Sequence, residues 1–285
     1  MSTDLLIEKI KEKNNPTVAG LDPLTDYLPQ SMISGDSPEQ KAEAILAFNK
    51  ELIDALYDIV PAVKPQSAYY ELLGHHGMTA LYRTIEYAKS KGLYVIYDGK
   101  RNDIGSTAEA YSKGILGLSG SDSVTVNAYL GFDGVKPFLL PDKAIYVLVK
   151  TSNKGSGQLQ DLMLENGKKV YEHMGDLVEE WGSDSIGKFG YSNVGAVVGA
   201  TYPEQLEELR ERLPHTFFLV PGYGAQGGKA QDVARAFRNG IGAIINSSRG
   251  IMCAYKNQNR PAEEFAEAAR IEAIRMRDEI MEFVK

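Results

Sequence analysis

Charged residues follow an apolar run most clearly between residues 94 and 104. The stretch begins as a buried strand and ends in a cluster that contains Asp98, Lys100 and Asp103. Because side chains alternate along a strand, Asp98 and Lys100 are expected on one side if the strand extends that far. The pattern favours an active-site charge cluster over a solvated ion pair. Metal ligation by the two aspartates is the alternative chemistry, but Lys100 would compete for the same carboxylates.

Polar residues also stand at the ends of other apolar runs. Asp22 follows the run 17–21, and Lys64 lies inside the run 59–65. Burying an unpaired ammonium is costly, so we expect Lys64 to have a carboxylate partner unless it is an exposed residue at the strand end. Thr151-Ser152-Asn153 follows a further run with hydroxyl and amide groups.

Two glycine-containing segments near the C-terminus suggest a phosphate site. Residues 221–228 are glycine-rich, and residues 246–250 read Asn-Ser-Ser-Arg-Gly, with the arginine at Arg249. Backbone N–H groups and a guanidinium suit phosphate geometry, and the loops after strands 7 and 8 often bind phosphate in barrels. The alternative is a tight turn with a structural arginine.

Eight short apolar runs recur with helix-like segments between them, as parallel strands covered on both faces require. They are residues 17–21, 59–65, 93–98, 123–127, 145–150, 194–199, 216–221 and 242–246. A doubly wound sheet and a closed (β/α)8 barrel both fit this alternation. The count of eight and the absence of a composition break favour an α/β fold of the (β/α)8 TIM-barrel type, with residues 1–285 as a single domain.

Helix signals lie between these runs. Ser37-Pro-Glu-Gln40 combines a hydroxyl N-cap, a proline at the first helical position and a capping-box glutamine. Residues 153–191 form an unusually long connection, in which Val170, Met174, Leu177 and Trp181 have helical spacing. We expect that segment to carry a helix packed on the outside of the barrel.

Composition narrows the class of protein. The net charge of −7 argues against a general nucleic-acid binder. No window approaches the roughly 20 consecutive apolar residues of a membrane span, and the N-terminal residues lack a signal-peptide core. The single Cys253 excludes an intramolecular disulfide framework. We therefore expect a cytoplasmic protein that binds neither nucleic acid nor membrane.

With these residues assembled, the sequence resembles the orotidine 5′-phosphate decarboxylase family, in particular its longer bacterial branch (type 2). The most specific match is Asp98-Gly-Lys100-Arg-Asn-Asp103-Ile104, which fits the family pattern D-x-K-x-x-D-I. Supporting matches are Ala19-Gly-Leu-Asp22, Val63-Lys64, Thr151-Ser152, residues 220–228 and Arg249. The resemblance implies a lyase that decarboxylates orotidine 5′-monophosphate to UMP, the last step of de novo pyrimidine (UMP) biosynthesis, with no cofactor and no metal.

The resemblance also implies which residues perform the reaction. Lys100 would stabilise the negative charge that develops at C6 of the pyrimidine and then donate a proton to it. Asp98 would lie close to the substrate carboxylate. Asp103, together with Ile104 and Thr107, would come from the neighbouring subunit, which implies a homodimer with shared active sites.

Substrate-binding roles follow from the same resemblance. Asp22 and Lys64 would contact the ribose hydroxyls, and Lys64 would also complete an alternating array of charges with the catalytic residues. Ser152 would contact the edge of the pyrimidine. Gln226 and Arg249 would hold the phosphate.

Two other functions remain open. A metal-dependent phosphosugar aldolase or synthase of the same barrel superfamily would share the D-x-K-x-x-D arrangement, but it would need a divalent cation to stabilise an enediolate. A non-catalytic nucleotide-binding barrel would bind UMP without turnover. The complete set of four charged residues favours the decarboxylase.

Overall fold

The computed structural model describes residues 1–224 and 227–284. Eight parallel strands close into a barrel in chain order, and β8 pairs with β1. The strands are β1 Thr17–Leu21, β2 Ala62–Pro65, β3 Tyr94–Arg101, β4 Ser123–Val126, β5 Ala144–Lys150, β6 Val194–Val198, β7 Phe218–Pro221 and β8 Ala243–Ser247. The predicted (β/α)8 barrel is confirmed.

Alternating residues of the strands form two apolar layers. Ile96, Tyr146 and Ile244 belong to a cluster inside the barrel. Their neighbours Val95 and Ile245 belong to the larger cluster that the surrounding helices cover. The strands are apolar on both faces because each face packs against a different layer.

Helices follow the strands around the outside. Their bounds are α1 Ser2–Lys13, α2 Pro38–Leu56, α3 Ser67–Glu71, α4 Gly74–Ser90, α5 Gly105–Ser112, α6 Phe132–Val135, α7 Gly157–Gln160, α8 Val170–Gly182, α9 Pro203–Arg212, α10 Ala230–Ala234, α11 Arg249–Met252, α12 Ala254–Asn257 and α13 Phe265–Met281. In the described part of the chain, no helix is long and apolar enough to cross a membrane.

The helix α1 packs against the amino-terminal end of the barrel. Its buried residues Leu6, Ile7 and Ile10 join the apolar cluster inside the barrel. Ser2 donates a hydrogen bond to the carbonyl of Asp122, 3.0 Å away, just before β4. The amino-terminal end is therefore filled, and the opposite end, which we call the mouth, is left for a site.

Two predicted helical features can be compared with the structure. The capping box at Ser37 and Gln40 is present at the start of α2, with each side chain bonded to the backbone of the other residue. The predicted stripe does lie on a helix, α8, but the fully buried residues of this helix include Tyr171 and Val178. Trp181 and the other residues of the predicted apolar stripe are only half-buried.

The strand that carries the charged cluster is longer than expected. The predicted strand ends at residue 98, whereas β3 continues to Arg101. Its pairing with β4 is irregular, because Tyr97 lies opposite Val124 and Arg101 lies opposite Val126. Three residues of β3 therefore oppose a single residue of β4 at the mouth.

Candidate active site

A cavity of about 610 Å³ lies at the mouth of the barrel. Its polar floor continues the inner face of the strands. Lys64 lies two residues after Ala62, Asp98 two after Ile96, and Asn246 two after Ile244, and each of the earlier residues belongs to the inner apolar cluster. The barrel interior thus changes from apolar packing to charged groups within one layer of side chains.

Asp98 stands at the centre of the charged groups. Its Oδ2 accepts a hydrogen bond from Lys64 Nζ at 2.7 Å, and its Oδ1 accepts one from Lys100 Nζ at 2.6 Å. Asp22 Oδ1 lies 4.0 Å from Lys64 Nζ. The predicted carboxylate partner of Lys64 is therefore Asp98, and Asp22 is a second, more distant carboxylate.

Burial differs sharply among these groups. The side chains of Lys64 and Asp98 are 4% and 8% exposed, whereas that of Lys100 is 45% exposed. Lys64 and Asp98 therefore form a buried ion pair, and the ammonium of Lys100 faces the cavity. A cation held in this way can interact with negative charge on a bound molecule.

The two buried groups stabilise each other's charge. Burial alone would raise the pKa of Asp98, but the ammonium groups of Lys64 and Lys100 outweigh that effect and hold it well below its usual range. Burial alone would lower the pKa of Lys64, but the charges of Asp98 and Asp22 outweigh it and raise that pKa. Both groups are therefore charged at neutral pH.

Asp98 and Lys100 meet through an unusual backbone. Lys100 has a left-handed conformation, with φ of 45°. A residue with a side chain seldom adopts this conformation, and such strain often occurs at functional sites. The two side chains do converge as expected, but a bulge in β3, rather than simple alternation along an ideal strand, brings them together.

The loop after β8 carries residues that could contact a phosphate group. Arg249 and Ser248 line the cavity, as do Pro221 and Gly222 from the end of β7. Among the described residues, the guanidinium of Arg249 has no hydrogen-bond or ion-pair partner, so its donors are available to an anion. Gln226, the other predicted phosphate ligand, lies outside the described residues.

Close packing explains one glycine in the Ala19-Gly-Leu-Asp22 match. A Cβ at Gly20 would clash with Oγ of Ser248, which follows β8. The absent side chain lets the loop that carries Arg249 approach β1, and Asp22 lines the same cavity two residues later. Oδ1 of Asp22 is buried and has no hydrogen-bond partner in the described part of the chain.

Ser152 lines the cavity at the end of β5, as predicted. It packs against β6 so closely that a Cβ at Gly199 would lie 2.9 Å from the Ser152 backbone nitrogen. The Thr201 hydroxyl donates a 3.5 Å hydrogen bond to the Ser152 carbonyl. Ser152 is thus held against the neighbouring strand.

Sequence reasoning missed the residues that fasten this strand end. Gln160 lines the cavity and exchanges two hydrogen bonds with Thr151, at 3.0 Å to the backbone N–H and 2.8 Å to the hydroxyl. Lys150 is fully buried and pairs with Asp161 at 2.7 Å. Lys150 gave the same signal as Lys64, a lysine in an apolar strand, whereas no spacing pointed to Gln160.

Asp103, Ile104 and Thr107 are separate from this cavity. None of them lines it among the residues that the structure describes. Asp103 accepts a 2.8 Å hydrogen bond from the Ile104 backbone, and the Ile104 side chain is 55% exposed. Within one chain, the structure therefore brings together Asp22, Lys64, Asp98 and Lys100, but not Asp103.

The fold and the mouth define a (β/α)8-barrel enzyme with a fixed lysine–aspartate cluster at one side of its cavity and an available arginine after β8. Among the described residues, no group of three or more His, Cys, Asp or Glu side chains is arranged to hold a metal ion. The profile described as the Orotidine 5′-phosphate decarboxylase / HUMPS family matches residues 18–265. The chain belongs to this family.

Individual relatives are similar along nearly the whole chain. The Orotidine 5′-phosphate decarboxylase of Clostridium perfringens (strain SM101 / Type A) is 45% identical over 289 residues, which cover 100% of this chain and 99% of that protein. That of Rhodopirellula baltica is 48% identical over 268 residues, covering 89% and 87%. The solved structure of Leishmania donovani OMP decarboxylase has a TM-score of 0.75 and 33% identity, and the match covers 96% of this chain and 98% of that one.

Proposed function

We propose that the charged cluster at the mouth carries out the reaction of this family, with Lys100 as the cationic stabiliser and proton donor. The reaction is the decarboxylation of orotidine 5′-monophosphate to UMP in pyrimidine biosynthesis, and the chain is a carboxy-lyase. The observation that carries the residue assignment is the Asp98 carboxylate held between two ammonium groups, at 2.7 Å from Lys64 and 2.6 Å from Lys100.

This arrangement suits the chemistry of decarboxylation. When the bond between C6 and the carboxylate carbon breaks, CO2 leaves and the electron pair stays on C6. The ammonium of Lys100 stabilises this charge without reorganising, because Asp98 already fixes its position. C6 then takes a proton from Nζ, and water returns a proton to the lysine. No electron acceptor is needed at any step.

Metal ligation at Asp98 does not suit the same geometry. Both oxygens of this carboxylate already accept hydrogen bonds from ammonium groups. We therefore propose a reaction without metal or cofactor, in contrast to a phosphosugar synthase that needs a divalent cation.

The other parts of the nucleotide are assigned to further residues that the sequence predicts. Asp22 and Lys64 bind the ribose hydroxyls; both line the cavity, and Oδ1 of Asp22 has no hydrogen-bond partner among the described residues, which supports this assignment. Ser152 contacts the pyrimidine, and Arg249 with Gln226 binds the phosphate. The phosphate is remote from the bond that breaks, so its binding energy orients the ring rather than reacting.

Asp103, with Ile104 and Thr107, acts in the site of a second copy of this chain. The exposed side chain of Ile104, beside Asp103, which has no ion pair among the described residues, supports this assignment. Exposed Tyr129 and Leu130 follow the next strand and extend the apolar surface that such a homodimer would cover. The active sites are then shared between subunits.

Two coarser features complete the proposal. Residues 1–285 act as one domain, which the packing of α1 and α13 against the barrel clusters supports. The protein works in the cytoplasm on small molecules, orotidine 5′-monophosphate and UMP, and binds neither nucleic acid nor membrane.

The direct test follows the absorbance of the orotate group after orotidine 5′-monophosphate is added to purified protein, with and without EDTA. We expect loss of this absorbance and formation of UMP at equal rates in both. The Lys100→Ala protein, purified in the same way, controls for contaminating host enzyme. Activity that EDTA removes would support the metal-dependent alternative, and UMP binding without turnover would support the nucleotide-binding alternative.

A further inference from the structure

Thr125 is the single residue of β4 that lies opposite the bulge of β3. It sits between Val124, which pairs with Tyr97, and Val126, which pairs with Arg101. Thr125 is therefore the residue of β4 that lies opposite Asp98, Gly99 and Lys100. Thr125 is buried, with 1% of its surface exposed, and it does not line the cavity.

The hydroxyl of Thr125 joins the two groups that the reaction needs. Its Oγ1 accepts a 3.0 Å hydrogen bond from the Lys100 backbone N–H and donates a 2.8 Å hydrogen bond to Asp98 Oδ1. A hydroxyl has one hydrogen to donate, so the bond to the carboxylate leaves its lone pairs for Lys100. The Thr125 hydroxyl can make both bonds at once because it is both a donor and an acceptor.

These bonds meet a specific need of the bulge. The left-handed backbone of Lys100 takes its N–H out of the regular ladder, where a strand carbonyl would otherwise accept it. A backbone donor without a partner destabilises its conformation. Thr125 supplies the missing acceptor and, through the same oxygen, fixes the carboxylate to which the Lys100 side chain is bound.

We propose that Thr125 is a positioning residue, whose hydroxyl holds Lys100 and Asp98 in their reactive arrangement. The proposal rests on the function proposed for Lys100. Thr125 does not touch the substrate. Its removal therefore changes how well the ammonium is placed when charge develops on C6, and it leaves the binding of ribose and phosphate intact.

The test compares Thr125→Val, which has nearly the same shape without the hydroxyl, with Thr125→Ser, which keeps the hydroxyl and loses a methyl group. We expect Thr125→Val to lower kcat about ten- to a hundredfold, corresponding to about 1.4 to 2.7 kcal/mol in the barrier, with little change in KM or in the Kd of UMP. Thr125→Ser restores most of kcat, although its Tm falls because a buried methyl group is lost.

Thr216→Val is the matched control. Thr216 is equally buried and its hydroxyl donates a 2.6 Å hydrogen bond to a carboxylate, that of Glu179, but it lies just before β7 at the amino-terminal end of the barrel. This variant should lose stability without losing kcat.

If Thr125→Val does not fold, the pair Thr125→Ser and Thr125→Ala gives the same comparison, because both lack the methyl group of threonine and only one has a hydroxyl.

The outcomes separate this proposal from the function itself. Suppose that the wild type is active, that Lys100→Ala is inactive and that Thr125→Val has the kcat of the wild type. This result would overturn the role of Thr125 and leave the proposed function standing. Equal loss of kcat in Thr125→Ser and Thr125→Val would also overturn it. An inactive wild type would instead overturn the function proposed for the mouth.

Discussion

The ammonium of Lys100 and the carboxylate of Asp98 lie 2.6 Å apart, although the two residues are separated by only Gly99 on one strand. The bulge in β3 and the left-handed backbone of Lys100 make this contact. Lys64 holds the other oxygen of the same carboxylate. One aspartate therefore fixes a buried cation, Lys64, and a half-exposed cation, Lys100, whose side chain extends further into the cavity.

Replacing Lys100 with alanine should abolish turnover and leave UMP binding detectable. The variant loses the cation that stabilises charge on C6, whereas the groups proposed for ribose and phosphate remain. Turnover and the Kd of UMP are measured on the same preparation, and Lys11→Ala, an exposed lysine of α1, is the control. Substantial turnover by Lys100→Ala would contradict the assignment.

The charge of Asp98 should contribute to stability above about pH 4 and lose that contribution in more acidic solution. Its pKa is lowered in the folded protein, so as the pH falls below about 3.9 the unfolded chain binds this proton first. Asp98→Asn has no such proton to bind. The difference in free energy of unfolding between wild type and Asp98→Asn should therefore shrink as the pH falls from 6 to 3, measured by urea denaturation. A difference that grows toward pH 3 would contradict the lowered pKa.

The strands and the charged motif could be predicted from the sequence because both depend on local patterns. Apolar runs mark strands that are covered on both faces, and Lys64 inside such a run required a carboxylate. The contacts around the motif could not be predicted from the sequence. Thr125 is an ordinary strand residue by type, and its role depends on a bulge in the neighbouring strand. Gln160 reaches Thr151 only because the chain turns back at α7.

Arg249→Ala should lower kcat/KM for orotidine 5′-monophosphate about ten- to a hundredfold, the loss expected for charge-assisted hydrogen bonds to a phosphate. Its effect should be specific to that phosphate. Orotidine, which has no phosphate, is the matched control substrate, and its kcat/KM should be the same in both proteins. An unchanged kcat/KM for the nucleotide would show that the phosphate binds elsewhere.

Shared active sites predict that two inactive variants can restore activity to each other. In a mixed dimer of Lys100→Ala and Asp103→Ala, one site combines the intact Lys100 of one subunit with the intact Asp103 of the other. Random reassembly should therefore give about a quarter of wild-type activity. Lys100→Ala mixed with Asp98→Asn is the control, because both changes lie in residues of the same subunit's site and no mixed dimer has an intact one. Activity in the first mixture no greater than that of its separate components would contradict the shared site.

The segment after β5 should affect substrate binding through Gln160. Its two hydrogen bonds to Thr151, at 3.0 and 2.8 Å, hold the residue that directly precedes Ser152. Gln160→Leu removes both bonds and frees the strand end. Because each hydrogen bond contributes about 0.5 to 1.5 kcal/mol, we expect KM for orotidine 5′-monophosphate to rise about tenfold, with a smaller change in kcat.

A neighbouring glutamine provides the control for this effect. Gln158 lies on the same short helix, is exposed and does not line the cavity, so Gln158→Leu should leave KM unchanged. Gln160→Glu keeps the acceptor for the Thr151 N–H but loses the donor to its hydroxyl, and it should give an intermediate KM. Equal KM values for Gln160→Leu and the wild type would mean that the Lys150–Asp161 ion pair, 2.7 Å long and one residue away on each side, is sufficient to hold the strand end.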